Sequence, residues 1–315
     1  MSAQPAHEHA GTRQGLLLGI LGVTIFALTL PMTRLAVGTP ELPQLSGTFV
    51  ATGRAVVAAL LSGAFLLAAR APWPDRGDWL RLGTVALGVV FGFPLCTSIA
   101  MRYVQAVHAS VIVGALPLAT ALVGAWLHRQ RPSAGFWWCA SLGTALVVTF
   151  AVLRSGHGGL MPAPADALLL LAMAFAAIGY GVGAQLSQRL RPDFVICWAL
   201  ILSLPLNLPA AYATWPSSAI KMEAWMAFAY VGVFSMWLGF FAWYRGLALG
   251  GTVRVSQVQL IQPFLGMLFA VPLLGEHLDA LTVGFGLAVI TVVFVGRKMP
   301  VNAGQPDDHT EPKEP

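Results

Sequence analysis

Ala115-Leu116-Pro117-Leu118 and Ile261-Gln262-Pro263-Phe264 are two copies of one pattern, a proline within a long apolar stretch, and together they decide the fold. The two prolines are 146 residues apart (263 − 117), and so are the polar turns that begin at Gln130 and Glu276 (276 − 130). The shared offset indicates that one segment was duplicated. Because each copy holds an odd number of membrane spans, as described below, the copies must lie in opposite orientations. Inverted repeats of this kind are typical of alternating-access carriers.

The composition places the chain among membrane proteins. Of its 315 residues, 57% are hydrophobic and only 10% are charged, and the mean hydropathy is +0.73, far above that of a soluble domain. A helix needs roughly 20 apolar residues to cross a hydrocarbon core about 30 Å thick, and ten such stretches follow one another along the chain. We therefore predict an all-α integral membrane protein with ten transmembrane helices, arranged as two inverted five-helix repeats.

The predicted spans divide the chain into two repeats and two tails. The first repeat, 15–154, contains spans over 15–36, 48–69, 79–99, 103–127 and 134–154. The second repeat, 166–296, contains spans over 166–187, 193–214, 224–244, 253–274 and 279–296. Residues 1–14 and 297–315 are polar and lack apolar periodicity, so we predict a flexible N-terminal tail and a disordered C-terminal tail.

The distribution of Lys and Arg predicts the orientation. If the N-terminus is cytoplasmic, thirteen of the 18 basic residues fall on the cytoplasmic side and four on the other side, while Arg54 lies within a span. This bias follows the positive-inside rule and predicts that both termini are cytoplasmic, in a bacterial inner membrane. The pI of 9.4 and the net charge of +5 are then consequences of topology, so we expect no nucleic acid as a partner.

Signals of catalysis or metal binding are weak in this sequence. Cys96, Cys139 and Cys197 fall in three different apolar stretches, and no pair has the spacing of a metal site or a redox motif. No phosphate-binding Gly-x-x-x-x-Gly-Lys-Ser/Thr motif is present. We therefore expect no enzymatic activity, no metal and no cofactor. The expected partners are a small-molecule substrate and the lipid bilayer, and the sequence gives no oligomeric state.

Polar side chains inside the apolar spans are candidates for a transport pathway, because a polar group in hydrocarbon is costly and is normally turned inward. The cavity candidates are Thr29, Thr33, Arg54, Thr97, Ser98, Tyr180, Ser256, Gln259 and Gln262. The hinge candidates are Pro31, Pro117 and Pro263, since each removes a helical hydrogen bond. The threonines beside Pro31 have two interpretations, because they could support a proline kink or line a cavity.

The ninth span is the most polar of the ten. Gln259 and Gln262 share one helical face, with Ser256 on its flank. Amides there could join neighbouring helices, at about 0.6 kcal/mol each, or contact a substrate beside Pro263. Arg54 has two interpretations as well, because no acid stands at helical spacing from it. Its guanidinium either reaches the interface or helix carbonyls, or it attracts an anionic substrate group.

Two residues are candidates for proton coupling, His108 and Glu276. Carriers that exchange protons for substrate commonly place Asp, Glu or His within the membrane. His108 is the only histidine well inside a predicted span, whereas the carboxylates Asp166, Asp193, Glu223, Glu276 and Asp279 all fall at span ends. We therefore expect transport to depend only weakly on a proton gradient.

Three motifs of the second half belong together: the stretch from Phe234 to Gly250, Gln262-Pro263-Phe264 and Leu274-Gly275-Glu276. In these motifs the chain resembles the EamA family of the drug/metabolite transporter superfamily. In the first half, Gly53-Arg54 is similar to the family's Arg-containing second helix, and Pro117 matches its fourth-helix proline. The chain departs from the family pattern at Phe26-Ala27, where Trp-Gly is frequent, and at Gln130, where Glu is frequent.

The resemblance implies a ten-helix carrier with a central cavity between its halves, in a family that exports amino acids, related metabolites or drugs. We therefore expect a secondary transporter that exports small amphipathic metabolites such as amino acids by alternating access. An efflux carrier for drugs or organic cations is the alternative, and it would need an acid in the cavity. An intramembrane enzyme or scaffold is a further alternative.

Overall fold

The computed structural model describes residues 4–127, 131–154, 163–250, 257–299 and 301–302, which are almost entirely helical. The α-helices are α1 (Gln4–Ala27), α2 (Thr29–Val37), α3 (Gly47–Ala68), α4 (Trp79–Val85), α5 (Phe93–Ala100), α6 (Ala106–Val113), α7 (Leu116–Leu127), α8 (Ala134–Arg154), α9 (Pro164–Leu186), α10 (Pro192–Ala213), α11 (Met222–Tyr230), α12 (Gly239–Gly250), α13 (Gln262–Leu274) and α14 (Ala280–Lys298). Two π-helical segments, Ala86–Gly92 and Val231–Leu238, join α4 to α5 and α11 to α12, and a 3-10 segment, Gln257–Ile261, precedes α13. The two-residue strands β1 (Arg131–Pro132) and β2 (Val301–Asn302) pair antiparallel.

These helices form the ten predicted spans, so the fold prediction is confirmed. Seven helical segments are long and apolar enough to cross a membrane, and three shorter apolar segments stand in the places of the fourth, ninth and tenth spans. In chain order the spans are α1–α2, α3, α4–α5, α6–α7, α8, α9, α10, α11–α12, the 3-10 segment with α13, and α14. We call the side where the α3–α4 and α9–α10 turns lie the terminal face, and the other side the opposite face.

Helix α1 begins at Gln4, so the segment predicted as an N-terminal tail is helical over its described residues. Pro5 stands in the first turn, where a missing N–H costs nothing, and most of the residues that follow are compatible with a helix. At the other end, α14 extends to Lys298 and β2 pairs with β1, so the predicted disordered tail contains structure near its start.

The irregular segments of the two repeats occur at matching places. Adding 146 to the π-helical segment 86–92 gives 232–238, which lies within the second π-helical segment, Val231–Leu238. The break between α6 and α7 falls at Gly114–Ala115, and the same offset places it in the 3-10 segment. The duplication therefore preserved the helix distortions as well as the prolines.

The helices pair across the two repeats. Helix α3 packs along α10, α1 along α12, α9 against α5 and the first π-helical segment, α6 against α13, and α8 along α14. Each of these pairs joins a span of the first repeat to a span of the second. Close approach depends on small residues, since a Cβ on Gly88 would lie 2.8 Å from the Gly179 Cα. The centre of the molecule is therefore an interface between the repeats.

The three hinge candidates stand at helix breaks or beside them. Pro31 lacks the N–H that would bond to Ala27, and the first span breaks at Leu28 between α1 and α2. Pro117 and Pro263 follow the Gly114–Ala115 break and the 3-10 segment, and both are buried. The breaks pack against each other, since a Cβ on Gly114 would lie 3.3 Å from the Pro263 Cγ.

Restoring the missing hydrogen bonds is expected to slow transport. Pro117→Ala and Pro263→Ala each supply an N–H to the carbonyl four residues back and straighten a helix at the inter-repeat contact. We expect a several-fold lower initial rate in proteoliposomes with unchanged membrane insertion. Pro272→Ala is the matched control, because Pro272 lies inside α13 but is exposed. Wild-type rates from both variants would contradict a hinge role.

Candidate functional site

A central cavity lies between the two repeats, where the distorted parts of the spans meet. Its first part has a volume of about 40 Å³ and we call it the arginine lobe; it is lined by Phe26, Thr29, Leu30, Arg54, Val89, Phe93, Val113, Leu116, Tyr180, Ser235, Met236, Phe240 and Gln262. Its second part has a volume of about 20 Å³ and we call it the proline lobe. The proline lobe shares Gln262 with the arginine lobe and adds Ser110, Pro117, Gln259 and Pro263. Both π-helical segments and two of the three breaks thus reach one cavity.

Arg54 is the dominant polar group of the cavity. It lies two turns into α3 and is 1% exposed. Its Nε and Nη1 atoms have no hydrogen-bond partner in the part of the chain that the structure describes. Among these described residues no carboxylate lies within ion-pair distance of it, since the ion pairs there involve other cations. The burial and the unmet N–H groups together make Arg54 a cationic site without an anion.

The polar groups around Arg54 come from both repeats. Thr29 of α2 and Ser235 of the second π-helical segment hydrogen-bond through their hydroxyls at 2.8 Å. Tyr180 of α9 lines the same lobe. The Gln262 side-chain oxygen is buried and has no hydrogen-bond partner among the described residues. The arginine lobe therefore contains unmet donors on Arg54 and an unmet acceptor on Gln262.

The rest of the arginine lobe is apolar. The Phe26 and Phe240 rings meet edge to face with centroids 5.1 Å apart, and Tyr180 meets Phe240 at 6.2 Å. Aromatic and aliphatic walls around a few polar groups are typical of small-molecule sites. The lobe thus places a buried cation beside an apolar wall, and at about 40 Å³ it must widen before it can hold a metabolite.

The proline lobe contains the predicted polar face of the ninth span in part. Gln259 is 8% exposed and lines this lobe, and Gln262 lines both lobes. Ser256 lies outside the described residues. Pro117 and Pro263 cannot donate to the carbonyls of Val113 and Gln259, four residues before them, so regular helical bonding is interrupted at the wall of this lobe.

Three predicted cavity residues do not line either lobe. The Thr33 hydroxyl donates to the Thr29 carbonyl at 2.6 Å, and the Thr97 hydroxyl donates to the Phe93 carbonyl at 2.7 Å. Ser98 is fully buried where α5 packs against Gly47 of α3. The Thr33 and Thr97 hydroxyls thus each bond to a carbonyl of their own helix, four residues back.

Glu276 lies at the opposite face and joins the two repeats. Its two carboxylate oxygens accept the backbone N–H groups of Ala106 and Val107, each at 2.8 Å, and the side chain is buried. An anion at the N-terminus of a helix is stabilised by the free N–H groups and the helix dipole. Glu276 therefore ties the turn after α13 to the start of α6.

Two further ties between the repeats were not predicted as such. At the opposite face, the His108 Nε2 lies 2.6 Å from a carboxylate oxygen of Asp166. At the terminal face, Asp78 is 3% exposed and its carboxylate lies 3.6 Å from the Arg189 guanidinium. Both pairs join residues far apart in sequence, which no helical spacing could reveal.

Sequence reasoning also missed much of the cavity wall. Four residues that were not predicted line the arginine lobe: Phe26, Ser235, Met236 and Phe240. Of these four, only Ser235 has a polar side chain. Phe26 stands where the resembled family often has Trp, and that departure was the available signal. The aromatic residues carried no distinguishing signal, because apolar side chains face lipid, core and cavity alike.

Comparison with known proteins gives a consistent result. The model of the EamA-like transporter family matches residues 13–153 and again 163–297. An uncharacterized transporter YdeK of Bacillus subtilis is 43% identical over 289 residues, covering 91% of this chain and 98% of its own. An uncharacterized transporter of Archaeoglobus fulgidus is 25% identical over 251 residues, covering 78% and 86%. A crystal structure of a protein 19% identical to the chain aligns with a TM-score of 0.59 over 89% of the chain and 95% of that protein, and supports the fold alone.

Proposed function

Because the chain belongs to the EamA-like transporter family, we propose that it exports small amphipathic metabolites with a carboxylate group, such as amino acids, by alternating access through the central cavity. The observation that carries this proposal is Arg54, a buried guanidinium with unmet N–H groups in the cavity wall. An arginine fork matches the geometry of a carboxylate. A substrate carboxylate would supply the missing anion.

The second unmet group extends the match to amino acids. The Gln262 side-chain oxygen is an acceptor on the wall of the same lobe, and it would receive a hydrogen bond from a substrate ammonium. The aromatic residues Phe26 and Phe240 would contact an apolar side chain. Efflux of organic cations is less well supported, because the described residues that line the two lobes include no Asp or Glu. An intramembrane enzyme is less well supported too, since those linings include no histidine or acid to serve as a base.

We further propose that the protein lies in a bacterial inner membrane with the terminal face in the cytoplasm. The support is the thirteen-to-four distribution of basic residues described above. Reporter fusions at both ends measure this directly, with cytoplasmic activity expected at each. A periplasmic signal at either end would contradict the orientation.

Transport by purified protein in liposomes tests the proposed function. Vesicles loaded with unlabelled L-phenylalanine, L-leucine, L-aspartate or benzoate are diluted into the same labelled compound, with equal pH on both sides. Counterflow of at least one carboxylate is expected, and phenethylamine, which lacks the carboxylate, should not exchange. Exchange of the amine but of no carboxylate would contradict the role given to Arg54.

Gln262 is expected to face the substrate. In a variant without native cysteines, Gln262→Cys should react with a small water-soluble thiol reagent, because the residue lines both lobes. The counterflow substrate should slow the reaction several-fold. Leu268→Cys is the control and should stay unlabelled, since Leu268 is on the same helix but 59% exposed on its outer, lipid-facing surface. Equal labelling rates with and without substrate would remove Gln262 from the site.

A further inference from the structure

The pair formed by His108 and Asp166 joins the two repeats close to the opposite face. His108 lies in the first turn of α6, in the fourth span, and Asp166 lies in the first turn of α9, the first span of the second repeat. The imidazole Nε2 and the carboxylate oxygen are 2.6 Å apart, and the two residues are 9% and 1% exposed. The Phe150 ring stacks on the imidazole with centroids 4.9 Å apart.

Protons can reach this pair without passing through the central cavity. His108 and Asp166 line a separate cleft of about 750 Å³, together with Tyr103, Gln105 and Ala163. Those three residues belong to the connections that precede α6 and α9 at the opposite face, and Tyr103 is 62% exposed. The pair is therefore mostly shielded from water but adjoins a cleft at one membrane face only.

The charge of the pair depends on a single proton. A neutral imidazole that donates to the carboxylate leaves a net negative charge, whereas an imidazolium forms a neutral ion pair with it. Burial of an uncompensated charge is costlier than burial of a neutral pair with good geometry. The closed contact is therefore more stable with the proton bound, and loss of the proton favours separation and hydration of Asp166.

The groups around the pair carry charges of both signs. The turn after α13 places the Glu276 carboxylate on the N–H groups of Ala106 and Val107, directly before His108. Helix α2 contributes Arg34, whose guanidinium donates to the Met101 carbonyl at 2.5 Å and is attracted to Glu276. The connection before α6 contributes the Tyr103 phenol, and the Phe150 ring of α8 stacks on the imidazole. The charges of Glu276 and Arg34 offset each other, so the dependence on the proton rests on His108 and Asp166 themselves.

We propose that His108 and Asp166 form a proton-binding latch, which holds the opposite face closed when protonated and allows it to open when the proton leaves. The proposal rests on the alternating-access function given above, and it makes opening depend on the pH at the opposite face alone. The expectation of weak proton dependence treated Asp166 as a group at a span end. Asp166 does lie in the first turn of α9, but it is also buried and bonded to His108, which the sequence did not reveal.

Cysteine accessibility tests the latch without requiring a known substrate. In a variant without native cysteines, Ser110→Cys is buried in the proline lobe and meets a membrane-impermeant reagent from the opposite face only when that face opens. Labelling is divided by that of Leu42→Cys, an exposed site on the same face, to remove the pH dependence of the thiol. Lowering the pH at that face from about 7.5 to about 5.5 should slow normalised labelling several-fold, because the protonated pair holds the face closed.

Changes to the pair should remove this pH dependence. Asp166→Asn and His108→Gln, each added to Ser110→Cys, are expected to label at a rate that varies less than about twofold with pH, because no titrating pair is left. His277→Gln is the matched control, an exposed histidine on the same face, and should keep the wild-type profile. A pH profile unchanged by both pair variants would overturn the proposal.

The Ser110→Cys protein with His108 and Asp166 intact provides a second, independent test of the latch. With both pair residues in place, equal labelling at the two pH values, or equal responses to acid at either face, would overturn the latch even if the pair variants failed to insert. Counterflow at equal pH decides the transport function separately. Carboxylate counterflow together with pH-independent labelling would contradict only the latch. Labelling that depends on pH, without carboxylate counterflow, would contradict only the proposed substrate class.

Discussion

Replacing Arg54 by leucine is expected to abolish carboxylate transport while raising the thermal stability of the protein. The guanidinium is 1% exposed, and its Nε and Nη1 have no hydrogen-bond partner among the described residues, so we expect it to destabilise the empty protein. Leucine removes this buried charge, and replacing buried charges by apolar groups is often neutral or stabilising. Loss of transport together with a gain in stability is the signature of a group retained for binding.

The expected loss is large. Removing one partner of a buried charge pair costs about 2 to 5 kcal/mol, which corresponds to roughly 30-fold or more in substrate affinity. Arg54→Lys keeps the positive charge but loses the planar guanidinium that can bind a carboxylate through two N–H groups, so it should retain weak transport. Counterflow and thermal unfolding of the purified variants provide both readouts. Arg76→Gln is the control, because Arg76 is exposed at the terminal face.

Two results would contradict the role of Arg54. Wild-type counterflow in Arg54→Leu would show that no substrate anion binds there. A marked fall in unfolding temperature in the same variant would show instead that the guanidinium is a structural group with partners in the folded protein.

Replacing Glu276 by alanine is expected to destabilise the protein and to open the opposite face. The carboxylate accepts two backbone N–H groups at 2.8 Å and is buried, so the variant leaves both donors unpaired at the start of α6. Hydrogen bonds to a charged group contribute about 1.5 to 3 kcal/mol each. We expect the unfolding temperature to fall by several degrees and Ser110→Cys to label faster from the opposite face.

The control for Glu276 is a second glutamate on the same face. Glu223 lines the same opposite-face cleft as Glu276 but is exposed, so Glu223→Ala should change neither property. Glu276→Gln should be intermediate, because an amide oxygen can accept one of the two N–H groups while the amide nitrogen cannot accept the other. Equal unfolding temperatures for Glu276→Ala and Glu223→Ala would contradict the structural tie, and the earlier hypothesis of a proton relay at Glu276 would then regain support.

Much of the fold followed from the sequence because bilayer constraints are local. A span must satisfy its backbone internally, so apolar stretches of sufficient length locate helices directly. The offset shared by Pro117 and Pro263 located the matching helix breaks as well, since a proline removes its hydrogen bond wherever it stands. Arg54 was recognisable for the same reason, as a charge that hydrocarbon does not tolerate.

The roles of individual polar side chains depended on the tertiary structure. Thr29 and Thr33 are one helical turn apart, yet Thr29 bonds to Ser235 of the other repeat and Thr33 bonds within its own helix. Likewise the sequence alone predicts an interfacial carboxylate at Asp166. In the structure α9 packs against α6, and this contact pairs Asp166 with His108. Hydropathy determines where a helix lies, and a proline determines where it breaks. Both act within one helix, so both can be predicted from the sequence. A side chain's partner is set by how helices distant in sequence cross, and only the folded structure brings those helices together.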